Sequence, residues 1–299
     1  MKVLVTGSTG LVGSALVPFL ASGGHEVVRL VRGRLKPGVV EVPWDPQAGT
    51  IEAAKLEGLD AVVHLAGERI TGRWTAAKKA RIRSSRVQGT RLLAEALAGL
   101  KQPPKTLVCA SAIGYYGNRG DEVLREDSPS GAGFLAEVCR EWEAAARPAA
   151  EKGIRVVQLR IGVVLSPAGG ALARMRTPFK LGLGGRIGNG KQYMSWIAIE
   201  DLTGAIHHAL TNESLRGPVN AVAPRSVTNL EFTKTLGRVL GRPTLFPLPA
   251  FAARLAFGEM ADELLLASTR VEPTKLVSSG YRFRAPELEG ALRHLLGKS

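Results

Sequence analysis

Cysteine is nearly absent: the 299-residue chain holds two, Cys109 and Cys139, 30 positions apart. In their apolar surroundings they supply neither a CxxC redox pair nor a zinc knuckle, and a disulfide scaffold is excluded. A reducing, cytoplasmic setting is the expected one. Long apolar runs are also missing. No stretch of about 18 uncharged apolar residues occurs, so no membrane span is expected. The N-terminal MKVLVTGSTGLVGSALVPFL starts like a secretory leader, but Thr6-Gly7-Ser8-Thr9-Gly10 interrupts it and no small-x-small cleavage site follows. It reads as the first structural unit. Acidic residues are scarce, 26 against 40 Lys plus Arg, for a net charge of +14. The densest basic patch, Arg69, Arg73, Lys78, Lys79, Arg81, Arg83, Arg86 and Arg91, has only Trp74 as an aromatic partner and no nucleic-acid module around it. Nucleic acid is therefore not the expected partner, and a phosphorylated small molecule is a better use of these charges.

What the chain has is 45% hydrophobic residues and enough length for one large domain or two smaller ones. Residues 2–6 (KVLVT) form a β-branched run that stops at glycine, and 11–22 follow with apolar residues at helical spacing. Further buried-strand runs occupy 26–31, 60–65 (DAVVHL), 106–111 (TLVCAS) and 154–162 (IRVVQLRIG), with helical stretches at 75–99 and about 134–152 between them. Alternation of buried strands with helices implies an α/β fold, a doubly wound parallel sheet covered on both faces. After about residue 165 the pattern loosens into a Gly-rich stretch at 182–190, helices near 200–211 and 228–240, and a strand near 218–223. The expected organisation is a domain over 1–165, its sheet completed by part of 195–225, and a smaller lobe over 166–299.

Gly7-Ser8-Thr9-Gly10-Leu11-Val12-Gly13 lies between the first strand and the first helix. Glycines there let backbone approach a pyrophosphate seated on unpaired helix amides, while Gly13 permits close helix-to-strand packing. The nucleotide is read from the end of the second strand. An acid would bond a ribose 2′-hydroxyl, whereas arginine suits a 2′-phosphate. The strand ends Leu30-Val31-Arg32-Gly33-Arg34 with no acid, so NADP is the expected cofactor, held by Arg32 with Arg34 in support.

Together TGSTGLVG (6–13), DAVVHLAG (60–67), QGT (88–90) and SAIGYYG (111–117) resemble the extended short-chain dehydrogenase/reductase superfamily. HLAGE (64–68), FLAEVCREWEAAA (134–146), LRIGVVL (159–165), GGRIGNGKQYMSWIAIEDL (184–202) and GPVNAVAP (217–224) resemble its atypical epimerase-like branch. That branch has a short C-terminal domain, and some members are described as sugar-nucleotide epimerases or as cell-division-inhibitor-like. The resemblance implies an NADP-binding Rossmann domain with a small C-terminal α+β lobe, and places Leu65, Ala66 and Gly67 beside the nucleotide. It also exposes a gap. The superfamily's acid/base is a Tyr with a Lys four residues later, and none of Tyr115, Tyr116, Tyr193 and Tyr281 has that Lys. If the 134–146 helix is the counterpart, those positions fall near Leu135 and Cys139, and the helical Asn becomes Arg86.

Hydride exchange still needs a proton partner at the reacting oxygen. The candidates are Tyr116 or its neighbour Tyr115, Glu137, and Cys139, which could otherwise be a small buried hydrophobe. Ser111 would orient substrate. Arg86 would clamp a phosphate or carboxylate, or be a solvated member of the basic helix. Glu143 reads as a helix-surface acid. Trp196 and the segment 184–195, with Arg186 and Lys191, would wall or cover an anionic substrate, or Trp196 would simply pack in the core. His64 ends a buried strand and His207-His208 lack a third ligand, so no metal is assigned. Three functional readings stay open: an NADP-dependent epimerase-like oxidoreductase, a non-catalytic NADP-binding regulatory or interaction protein, and a protein engaging an acidic partner through 69–91.

Overall fold

Parallel pairing of β-branched runs sets the architecture. The computed structural model describes residues 1–33, 35 and 37–298. Its main sheet contains β1 (Lys2–Thr6), β2 (Glu26–Val31), β3 (Glu41–Asp45), β4 (Thr50–Ile51), β5 (Ala61–His64), β6 (Thr106–Ala112), β7 (Arg155–Ile161) and β8 (Gly217–Ala221). The order is β8-β7-β6-β5-β1-β2-β3-β4, parallel throughout except for β4 on β3. This is a doubly wound α/β sheet. The chain moves outward from β1 to β3 and returns on the other side of β1 with β5, so a crevice opens at the C-terminal ends of β1 and β5.

Both faces are buried, and the residues of β1 alternate between them. Val3 and Val5 join Val63, Val108 and Val157 under α1 (Leu11–Ser22) and Leu202 and Ile206 of a later helix. Leu4 points the other way, with Val62 and Leu107, under Leu93 and Leu97 of α2 (Ala76–Ala98). The helix expected over 134–152 is two helices, α3 (Phe134–Ala144) and α4 (Arg147–Glu151). Pro148, which lacks an N–H, is accommodated in the first turn of the second. Strand β3 alternates, with Val42 and Trp44 buried between Glu41, Pro43 and Asp45, but it is short and Pro43 at its centre argues against a strand, which is why it is not legible.

Beyond β7 the chain turns at Gly162 and continues as Val163–Ser166, which pairs in parallel with Trp196–Ala198 outside the main sheet. A smaller core forms there from Leu165, Leu172, Phe179, Trp196, Phe232, Leu236 and Leu292. It is enclosed by α5 (Gly170–Lys180), the start of α6 (Ile199–Thr211), α7 (Asn229–Leu240) and α10 (Leu288–Leu296), while α8 (Ala250–Phe257) lies outside it and α9 (Thr274–Ser278) packs Leu276 on the main-sheet core. Helix α6 also covers the main sheet, and β8 closes the sheet's edge, so the later chain is woven into the first unit. Trp196 belongs to this core: it is 1% exposed and its indole N–H donates to the Arg225 carbonyl at 3.1 Å.

Gly162 is the joint between the two cores. A Cβ there would lie 2.6 Å from the Ser195 carbonyl oxygen and 2.8 Å from Val222 Cγ1. Gly162→Ala is expected to cost about 1–3 kcal/mol through this overpacking. Urea unfolding measures it, and an unchanged midpoint would contradict the tight joint.

Candidate functional site

The crevice is built around the glycine turn. Gly7 has φ +65°, and a Cβ on it would strike the Leu65 carbonyl and the Ala66 amide at 2.8–2.9 Å. Gly13 comes closer still, its Cβ position lying 2.3 Å from the Gly7 carbonyl oxygen. Each substitution would push the turn off the strands or the helix off the turn. Gly10 caps α1 without a side-chain hydrogen bond, and the first turn holds no acid. Among the described residues the amides of Leu11, Val12 and Gly13 thus have no carboxylate or hydroxyl partner, and the positive end of the helix faces the crevice mouth. Ser8 is buried and Thr9 exposed on this loop. The turn after Ser166 closes one side, because Leu11 packs where a Cβ on Gly169 or Gly170 would sit, 3.0–3.1 Å away. Arg174 reaches across to the Thr71 hydroxyl at 3.1 Å.

A buried polar chain sets the floor. Thr6 Oγ1 accepts the amides of Leu65 (3.0 Å) and Ala66 (3.1 Å) and lies 2.8 Å from His64 Nδ1. With both lone pairs used, its own proton goes to Nδ1, so Nε2 carries hydrogen and donates to Thr90 Oγ1 at 2.9 Å. Trp142 Nε1 donates to the same Thr90 oxygen at 2.9 Å. Burial lowers the His64 pKa to about 4, keeping the ring neutral. This chain holds Leu65, Ala66 and Gly67 at the crevice edge. Neither Thr6 nor Thr90 stands out in the sequence, since a threonine at a strand end and one within a helix carry no distinctive spacing.

Arg86 lies beneath the same edge. Its guanidinium donates to the carbonyls of Glu68 (3.0 Å) and Ile82 (3.2 Å), stacks over Trp142 at 5.1 Å, and sits 3.3 Å from a Cβ position on Gly67. It is a support for the 67–68 turn and not a solvated residue of the basic helix. Around it the helix charges are mostly answered. Glu68 takes Lys78 at 2.6 Å and Arg81 at 3.9 Å, Glu259 takes Lys79 at 2.8 Å, and Glu137 takes Arg83 at 2.9 Å. Arg32 is exposed at the end of β2. The Lys78 hydrogen bond, with the nearby charges of Lys78, Arg81 and Arg32, holds the Glu68 carboxyl below its usual range. Arg34 lies outside the described residues.

The residues expected to do chemistry occupy a second buried network. Arg160, 3% exposed on β7, is bidentate to Glu143 (2.8 and 2.9 Å), and Ser111 Oγ donates to Glu143 Oε1 at 2.7 Å. Burial works against the Arg160 charge, but Glu143 outweighs it and the pKa is raised. Glu143 is therefore a buried counter-ion and not a helix-surface acid; the signal available was Arg160 itself, a charge inside an apolar strand that demands a partner. Tyr116 is fully buried, its hydroxyl 2.7 Å from Asn220 Oδ1, 2.9 Å from the Arg125 carbonyl and 3.0 Å from Arg160 Nη1. Burial pushes that phenol to about 12. As a proton donor to substrate Tyr116 fails, because it is sealed and its hydroxyl is fully engaged. Cys139 fails as an activated thiol for a related reason: it is buried, and burial, with Glu143 nearby, raises it to about 12. The Ser111 proton is likewise committed to Glu143. Tyr115 differs, being half-buried, with the Arg160 guanidinium 3.5 Å from its ring centre. The N-terminus of α3 is closed by Glu263, which accepts the amides of Phe134 and Leu135 at 3.1 Å each.

Residues 3–221 match the NAD dependent epimerase/dehydratase family, and residues 248–295 match a domain of unknown function, DUF1731. An epimerase family protein of Mycobacterium bovis, Mb2239, is 47% identical over 291 residues, covering 97% of this chain and 96% of that protein. The crystal structure of human epimerase family protein SDR39U1 with NADPH superposes with a TM-score of 0.92 at 40% identity, covering 100% of both chains. A nucleoside-diphosphate sugar epimerase from Corynebacterium glutamicum gives 0.82 at 43% identity, over 99% of this chain and 58% of that one.

The His64 chain predicts a pH dependence. Unfolded, His64 binds a proton below its ordinary pKa of 6.5; folded, it does so only near 4. Below pH 6.5 the unfolded state therefore holds the extra proton, and stability falls as pH drops towards 4. Between pH 7 and pH 5 the His64 share is about 2 kcal/mol. Urea unfolding of the wild type and His64→Asn at both pH values isolates it, and equal pH dependence in the two proteins would contradict the assignment.

Proposed function

Because the chain belongs to the NAD-dependent epimerase/dehydratase family, we propose that it is an NADP(H)-binding, epimerase-like oxidoreductase acting on a small anionic substrate. The carrying observation is the uncapped, acid-free N-terminus of α1 behind a glycine cradle that any Cβ would fill, with Arg32 exposed beside it. Leu11, Val12 and Gly13 would receive the pyrophosphate on their amides, and Leu65, Ala66 and Gly67 would line the dinucleotide. Arg32 would pair with the 2′-phosphate, in a corner where Lys78 and Arg81 already supply positive charge. Bound NADP(H) supplies the hydride donor or acceptor.

The proton partner we assign is Tyr115. Its phenol has no hydrogen-bond partner among the described residues, and its ring lies against the fixed Arg160 charge. Ser111, Glu143 and Arg160 position that ring from below. Tyr116 anchors the turn Ile113–Tyr116, and Gly131 packs onto it so closely that a Cβ would lie 2.0 Å from the Tyr116 carbonyl oxygen. Arg186 and Lys191, both exposed, provide charge for an anionic substrate. The second reading is an NADP(H)-binding regulatory or interaction protein. It is favoured by one observation: Ser111 and Tyr116 spend their hydroxyls on internal partners.

Two measurements test this. Arg32→Asp should weaken NADPH binding about 10–100-fold, the loss of a charged hydrogen-bond pair, and change NADH binding little; calorimetry reads both, and equal losses would contradict the phosphate assignment. Tyr115→Phe should keep NADPH affinity and lower NADPH oxidation across a carbonyl and sugar-nucleotide panel by about 10²–10⁴-fold. A full rate in that variant would remove Tyr115, and no turnover by the wild type despite tight NADPH binding would favour the regulatory reading.

A further inference from the structure

The segments 166–199 and 232–258 contain no acidic residue at all. They carry Arg174, Arg176, Lys180, Arg186 and Lys191 in the first and Lys234, Arg238, Arg242 and Arg254 in the second. These same stretches hold a concentration of exposed apolar side chains: Leu181, Leu183, Leu245, Phe246, Phe251 and Leu255. In a chain otherwise buried in the usual way, that is a bias of two kinds in one place.

Hydrogen bonds join the two segments. Arg242 Nε donates to the Lys180 carbonyl at 2.9 Å, Leu248 N donates to the Arg186 carbonyl at 2.8 Å, and Gly188 N donates to the Leu248 carbonyl at 2.8 Å. Gly185 packs so tightly that a Cβ would meet the Phe246 carbonyl at 1.9 Å. From this base α8 presents Phe251 and Leu255, four residues apart on one helix face, 72% and 79% exposed, while Ala253 faces inward. The charges nearby are only partly answered. Arg254 pairs with Asp262 and Arg238 with Glu289, but Lys180, Arg186 and Lys191 have no acidic partner among the described residues.

We propose that this face binds the surface of an anionic lipid bilayer, with Phe251 and Leu255 of α8 entering the headgroup boundary and Lys180 and Arg242, neither with an acidic partner among the described residues, facing acidic headgroups. Protruding Phe and Leu on a short helix, with unpaired bases on the segments hydrogen-bonded to its base, suit an interfacial contact whose binding energy combines apolar burial with charge attraction. A second copy of this chain is disfavoured as occupant. A two-fold contact would bring the same unpaired bases together, with like charges opposed. The chain needs no spanning segment for this mode, and no helix among the described residues is long and apolar enough to cross a membrane.

Co-sedimentation with phosphatidylcholine vesicles, with and without phosphatidylglycerol, tests the proposal on the full chain. The wild type should be retained by the anionic vesicles, weakly by the neutral ones, and released by high salt. Phe251→Glu with Leu255→Glu should lose roughly tenfold or more in retention, since two apolar side chains no longer insert. Far-ultraviolet circular dichroism and thermal unfolding check that this variant is folded; should it unfold, Lys180→Glu with Arg242→Glu reads the charge contribution instead. No retention, equal retention on neutral and anionic vesicles, or retention unchanged by the substitutions would overturn it. So would a concentration-dependent dimer abolished by the same substitutions without any vesicle binding, which would assign the face to a second copy.

Discussion

The ends of β1 and β5 meet with no room for a side chain, and the site depends on that contact. Thr6 binds the two amides that follow His64, and Gly7 lies where a Cβ would collide with the carbonyl they share a turn with. Two strands that are neighbours in the sheet are thereby tied at their C-terminal ends, where a doubly wound fold opens its crevice. Gly13 extends the same restriction to α1. The helix cannot move away from the turn without losing packing, so its first amides stay aimed at one place. A rigid, uncapped helix start is costly for a protein unless something anionic completes it.

The second constraint is electrostatic. Arg160 and Glu143 are removed from water, and the desolvation this entails is recovered only through many hydrogen bonds. Here the guanidinium meets Glu143 on two sides, Tyr116 and the Glu126 carbonyl, and the Glu143 carboxylate also receives Ser111. The Glu126 carboxylate in turn takes the amides of Asn220 and Lys275. The network thus ties β6, β7 and β8 to α3 and α9, joining the two cores through charge where Gly162 joins them through backbone. It also explains why a sealed phenol and a buried thiol stand where an acid/base pair was sought: these groups hold the platform, and Tyr115 rests on it.

Much of this fold is legible because period and punctuation agree. Buried β-branched runs, a glycine turn between the first strand and helix, and apolar helix faces are local signals, and the sheet of parallel strands follows from them. Strand β3, interrupted by Pro43, and the break at Pro148 are not, since their outcome depends on tertiary pairing. At the site, the glycines declare themselves because only a residue without Cβ fits. Which hydroxyls point outward is invisible: Tyr115 and Tyr116 are adjacent and chemically identical, and burial alone separates them. Glu143 reads as surface because the strand carrying Arg160 is far from it in sequence. The role of Thr6 needs His64, Thr90 and Trp142 brought together from three elements, which no spacing in the chain announces.

The two halves of the molecule carry their positive charge differently. On α2 most of it is matched by acids from other elements, whereas the lobe after Gly162 keeps its bases beside exposed apolar side chains. Calorimetric titration of NADPH and of NADH into the wild-type protein tests the account at its centre. Binding of NADPH in a one-to-one complex, tighter than NADH, is the predicted result; no heat with either dinucleotide would contradict it.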